Sequence, residues 1–183
     1  MSRTLALFLV VLAFAIACSS NATPTPIGDG AIDTTVVEHL LTSDDIKSVG
    51  GDPSGLEQRT EDLSDVISMV NPSELESVDA WFSRSLTSAS KPGIVMALRR
   101  FNDAALAIGQ LESIETGGAF QSMDAPVGDR SAFAQGGDGG GYSIAFISGR
   151  TLVVLQCPSA PDSTTLLDAG QLRSLAELIE ARL

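Results

Sequence analysis

Histidine occurs once in the 183 residues, at His39, and cysteine twice, at Cys18 and Cys157. That inventory cannot assemble a Cys₄ or Cys₂His₂ zinc centre, and a catalytic zinc site usually takes three protein ligands. A base-activated thiol or hydroxyl is equally hard to build, because the single imidazole is distant in sequence from Cys157. Positive charge is scarce as well: Lys and Arg number 11 against 23 Asp and Glu, a formal net charge of -12. Such a surface repels phosphate backbones, and the nearest basic cluster, Arg99-Arg100, is too small to reverse that, so no nucleic-acid partner is expected. Aromatic residues make up only 5% of the chain. With little to stack on a sugar ring, a paired-carboxylate glycosidase is an unattractive reading despite the plentiful acids.

Motifs that would carry chemistry are absent or fail on context. No G-x-S-x-G elbow and no Walker A loop occurs. Ser88-Ala89-Ser90-Lys91 matches S-x-x-K, but S-D-N and K-T-G partners are missing and the match sits before Pro92-Gly93, where a hairpin turn is expected. Asp44, Asp45 and Asp52 are the best calcium candidates, yet no EF-hand spacing surrounds them, and the first two suit the start of a helix better. The run Gly136-Gly137-Asp138-Gly139-Gly140-Gly141 lacks G-x-G-x-x-G spacing and precedes a strand, so it reads as a hairpin connection. No cofactor, metal ligand or catalytic residue is assigned.

What the chain does have is a patterned N-terminus. Arg3 precedes residues 5–16, which contain no charged or strongly polar side chain. This run is shorter than the ~20 apolar residues of a membrane span but fits the hydrophobic region of a signal peptide. It ends in Ala15-Ile16-Ala17-Cys18 and passes directly into Ser-Ser-Asn-Ala-Thr-Pro-Thr-Pro. These first 20 or so residues resemble bacterial lipoprotein precursors, whose lipobox places small residues before an invariant cysteine. The resemblance implies cleavage before Cys18, a diacylglycerol thioether on its sulfur, and attachment to the cell membrane facing outside the cytoplasm. Cleavage after Ala17 by an ordinary signal peptidase, which would release a free protein, is the competing reading. Residues 1–17 are thus assigned to the signal peptide. Residues 18–33 form the lipidated cysteine and a Ser/Thr/Pro/Gly-rich tether, with a reach on the order of 20 Å if flexible.

Hydrophobic residues at 44% support a packed core, and residues 34–183 are expected to form one α+β domain. An apolar start at Val36-Val37 and Leu40-Leu41 leads to a short helix capped by Ser43 and ended by Gly50-Gly51. Leu63, Val66, Ile67 and Val70 have helical spacing, stopped by Asn71-Pro72. Residues 78–82 and 94–101 suggest a hairpin, and Asn102 a helix cap, with Ala104, Ile108, Leu111 and Ile114 facing the core. Strands are expected over 120–123, 130–135, 142–147 and 151–157, the last apolar on both faces and therefore central, with helices covering one side. Asp168 and Gln171 form a capping box for a closing helix that buries Leu172, Leu175, Leu178 and Ile179. The expected architecture is an antiparallel sheet of about five or six strands with helices packed on it.

The body resembles small exported lipoproteins of uncharacterised function in actinobacteria and related lineages, some of which have a PsbP-like fold. The likeness lies in Leu40-Leu41-Thr42-Ser43-Asp44-Asp45, Val127-Gly128-Asp129-Arg130 and Phe146-Ile147-Ser148-Gly149-Arg150. From the missing catalytic parts, the expected role is a non-enzymatic envelope lipoprotein that binds a protein or small ligand. An accessory or sensor subunit, or a carboxylate-based hydrolase, is the competing reading. If Cys18 carries lipid, Cys157 has no partner in the chain and reads as a small core hydrophobe. Thermal melts of the domain from Thr34 onward should then coincide with and without reductant; a large loss of stability on reduction would mean that Cys157 is paired between chains.

Overall fold

In the computed structural model, residues 31–65, 77–136, 140–160 and 164–183 are described. Cys18 and the whole signal segment lie outside them, as does the stretch 66–72 that carries most of the expected second helix. The described elements are α1 (Thr34–Leu40), α2 (Ser43–Ser48), β1 (Glu57–Asp62), β2 (Val78–Thr87), β3 (Ile94–Phe101), α3 (Ala104–Thr116), β4 (Gln121–Ser122), β5 (Arg130–Gln135), β6 (Gly141–Ser148), β7 (Thr151–Pro158) and α4 (Ala169–Glu180). Seven strands form one antiparallel sheet in the order β1-β2-β3-β7-β6-β5-β4. The fold is α+β, with more strands than expected. It consists of two meanders, β1–β3 and β4–β7, joined through α3 and zipped together where β3 pairs with β7.

The middle strands are buried on both faces, which their nearly continuous apolar runs require. On the first face, Met96, Leu98, Val153, Leu155, Ile144 and Phe146 meet Val37, Leu40, Leu41 and Ile46 of the N-terminal helices and Leu172, Leu175, Ala176 and Ile179 of α4. On the second, Phe101, Leu152, Ile147, Ala145 and Ala132 meet Ala107 and Leu111 of α3. Helices therefore cover both faces, not one. A strand apolar on both sides cannot leave either side to water, and α3, which crosses between the meanders, supplies the second layer.

β1 was not expected, because Glu57-Gln58-Arg59-Thr60-Glu61-Asp62 shows no hydrophobic alternation. Its partner explains this. Buried Arg84 on β2 donates to Thr60 Oγ1 at 2.8 Å, to Gln58 Oε1, and through Nε to the Leu41 carbonyl at 3.2 Å. The covered side of β1 thus needs acceptors, not methyl groups. At the opposite edge, β4 shrinks to Gln121–Ser122. Short or charged edges are how sheets avoid adding foreign strands.

The helix ends differ from expectation by one position. Thr42, not Ser43, caps α2: its side chain accepts from Asp45 N while Asp45 accepts from Thr42 N. Asp103, not Asn102, caps α3 through a bond from Ala105 N at 2.8 Å. The expected capping box of Asp168 and Gln171 is present. The buried stripes also shift. In α3 they run through Ala107 and Leu111, while Ile108 is 42% exposed and Ala104 is exposed; in α4, Ala176 is buried and Leu178 is 36% exposed. Small side chains let each helix sit close on the sheet, and the larger neighbours turn outward.

Gly128 shows a similar close approach. Its φ is +62° and an added Cβ would lie 2.3 Å from the Ile147 carbonyl oxygen. Glycine is required there both by conformation and by space.

The shifted stripe is testable by denaturant unfolding. Leu175→Ala should cost about 2–5 kcal/mol as a core truncation, whereas Leu178→Ala should stay within about 0.5 kcal/mol as a surface change. Equal losses would contradict the packing of α4.

Candidate functional site

The aspartates weighed as calcium candidates make contacts within the fold. Asp45 and Arg182 form a clasp between α2 and the end of the chain: Arg182 Nη2 reaches Asp45 Oδ1 at 2.5 Å and Nη1 reaches Oδ2 at 2.9 Å. The same guanidinium donates to the His39 carbonyl at 3.1 Å and the Leu40 carbonyl at 3.3 Å. Burial alone would raise the Asp45 pKa, but the bonds from Arg182 and Thr42 outweigh it and hold the carboxyl below 3.8. Asp44 pairs with Lys47 at 3.3 Å on the surface. Asp52 accepts from the Ser54 hydroxyl and amide and from Lys91 Nζ, which lower its pKa to about 2. The three aspartates thus answer to separate donors, and no group of three His, Cys, Asp or Glu among the described residues could hold a metal ion.

Ser88 and Lys91 are not brought together as a nucleophile and base. Lys91 leaves the β2–β3 turn to grip Asp52 and Ser54, while Ser88 Oγ lies 3.2 Å from Ser90 Oγ. His39 is exposed, with Nδ1 2.9 Å from the Thr35 carbonyl. Cys157 is a buried free thiol on the first face of β7. Burial pushes its pKa up, only partly offset by the backbone amides of Leu167 and Leu166. A thiol held protonated is a poor nucleophile. Of the glycine run, residues 137–139 lie outside the described residues; Gly136 N donates to the Gly141 carbonyl at 2.9 Å, closing the β5–β6 connection.

The segments Val127-Gly128-Asp129-Arg130 and Phe146-Ile147-Ser148-Gly149-Arg150 meet each other. Gly128 bridges to Ile147, Asp129 N donates to the Ile147 carbonyl at 2.8 Å, and Asp129 Oδ2 accepts from Gly149 N at 2.7 Å. They lock the β6–β7 turn against the entry to β5.

A candidate recognition surface lies on the second face of the sheet. α3 lies over β3, β7, β6 and β5. Among the described residues, no helix covers the same face of β1 and β2, where register places Arg59, Glu61, Trp81, Ser83 and Ser85. Along the flank of α3 runs a groove of about 260 Å³ lined by Ser77, Val78, Arg99, Phe101, Ala105, Leu106, Gly109 and Gln110. A smaller hollow of about 130 Å³ continues it past Trp81, Ala97, Ile114 and Val154, sharing Arg99 and Gln110. The Arg99 guanidinium stacks 4.3 Å from the centre of the Trp81 ring, its cross-strand partner. Such a cation–π pair presents a flat, semi-polar surface. Leu106, in the lining of the groove, and Ile108 are each 42% exposed.

Neither lining contains a histidine, cysteine, carboxylate or lysine. Arg99 stays protonated at any ordinary pH and cannot act as a base. The lining combines apolar side chains with the Gln110 amide and the Arg99 guanidinium stacked on Trp81. Sequence reasoning missed it because its parts come from β2, β3 and α3. The nearest signal was Gly109 inside an otherwise helical run.

Neither a family model nor a curated protein matches this chain. Among the described residues no helix is long and apolar enough to cross a membrane.

The clasp predicts an acid-side effect with a defined sign. A carboxylate held below 3.8 in the fold contributes its full stability above that pH and loses it as the pH falls further. Asp45→Asn should destabilise the domain at pH 7 by about 1–3 kcal/mol, the scale for losing hydrogen bonds to a charged partner. The variant should also flatten the stability profile on the acid side, measured by unfolding midpoints across pH. A profile parallel to that of the wild type would contradict the clasp.

Proposed function

We propose that this chain is an exported lipoprotein, held to a membrane by lipid on Cys18, whose folded domain binds a protein or small ligand through the groove along α3. The anchor rests on the ordered N-terminal pattern of Arg3, the apolar run and Ala15-Ile16-Ala17-Cys18. The observation that carries the binding reading is the groove itself: a hollow of mixed polar and apolar lining that runs on into a smaller apolar one, with Arg99 stacked on Trp81. Small-molecule sites are commonly concave and mostly apolar with a few placed polar groups.

Gly109 supports the same reading. A glycine inside a helix costs about 1 kcal/mol relative to alanine, and a Cβ added here would meet nothing within 4 Å. No described residue therefore needs the glycine, while close approach of an outside group would. The large acidic excess keeps the rest of the surface soluble, and nucleic acid remains outside the proposed partners.

Two substitutions test the proposal separately. Cys18→Ser should abolish metabolic acyl labelling and detergent-phase partitioning, because only the thiolate can accept the diacylglycerol. Unchanged labelling together with unchanged partitioning would remove the anchor from the reading. Gly109→Leu should leave the melting temperature equal or higher while blocking the groove, so envelope components that copurify with the wild type should be lost. Their retention at wild-type yield would remove the groove.

A further inference from the structure

We draw no further inference here: the strongest candidate, the second-face groove between α3 and strand β3 with Arg99 and Trp81 on its floor, is an unpartnered apolar face already described, and nothing in the structure shows what covers it.

Discussion

The pairing of β3 with β7 is the constraint on which the rest of the architecture depends. It zips together two meanders that the chain connects through α3, and it places Leu98 beside Val153 and Met96 beside Leu155. Because side chains alternate across a strand, the same pairing sets Arg99 beside Leu152 and Ala97 beside Val154 on the opposite face. One hydrogen-bonded ladder therefore builds the main core and the floor of the groove together. A slip of one residue would exchange the two faces, burying Arg99 under α4 and exposing Leu98.

Among the described residues the two faces are covered unequally, and that alternation explains it. The first face carries large aliphatic side chains from β2 to β6, and three helices close over it. The second is apolar mainly on β5, β6, β7 and the end of β3, where α3 lies. Towards β1 it becomes Ser83, Ser85, Arg59 and Glu61, which gain little from a covering helix. The groove is the boundary between these two regimes. Its edge is set by where the second-face residues change from Leu152 and Ile147 to Trp81 and the serines. Polar anchoring elsewhere serves the frame: Arg182 ties the closing helix to α2, and Arg150 ties the β6–β7 turn to Asp79 on β2 at 2.6 Å.

Much of the frame was legible in the sequence, for identifiable reasons. The β7 run Thr151-Leu152-Val153-Val154-Leu155 announced a central strand because burial on both faces leaves no polar gap. The Asp168–Gln171 box worked because capping is a local matter of three residues. Failures came where tertiary partners replaced apolar burial. Gln58 and Thr60 face Arg84, so β1 carries no hydrophobic period, and the choice of Ala107 and Ala176 over Ile108 and Leu178 depends on how closely each helix approaches the sheet. The groove was hidden for a deeper reason. Trp81, Arg99 and Gln110 become neighbours only once β2, β3 and α3 are assembled, and none of them belongs to a spaced motif.

Site-specific photo-cross-linking in native membranes tests the proposed division of labour most directly. A photoreactive residue at Gln110, in the groove, is compared with one at Ser174, exposed on α4 over the opposite face. A discrete adduct from position 110, absent from 174, is the expected result. Adducts from 174 alone, or equal adducts from both, would contradict a binding surface on the second face.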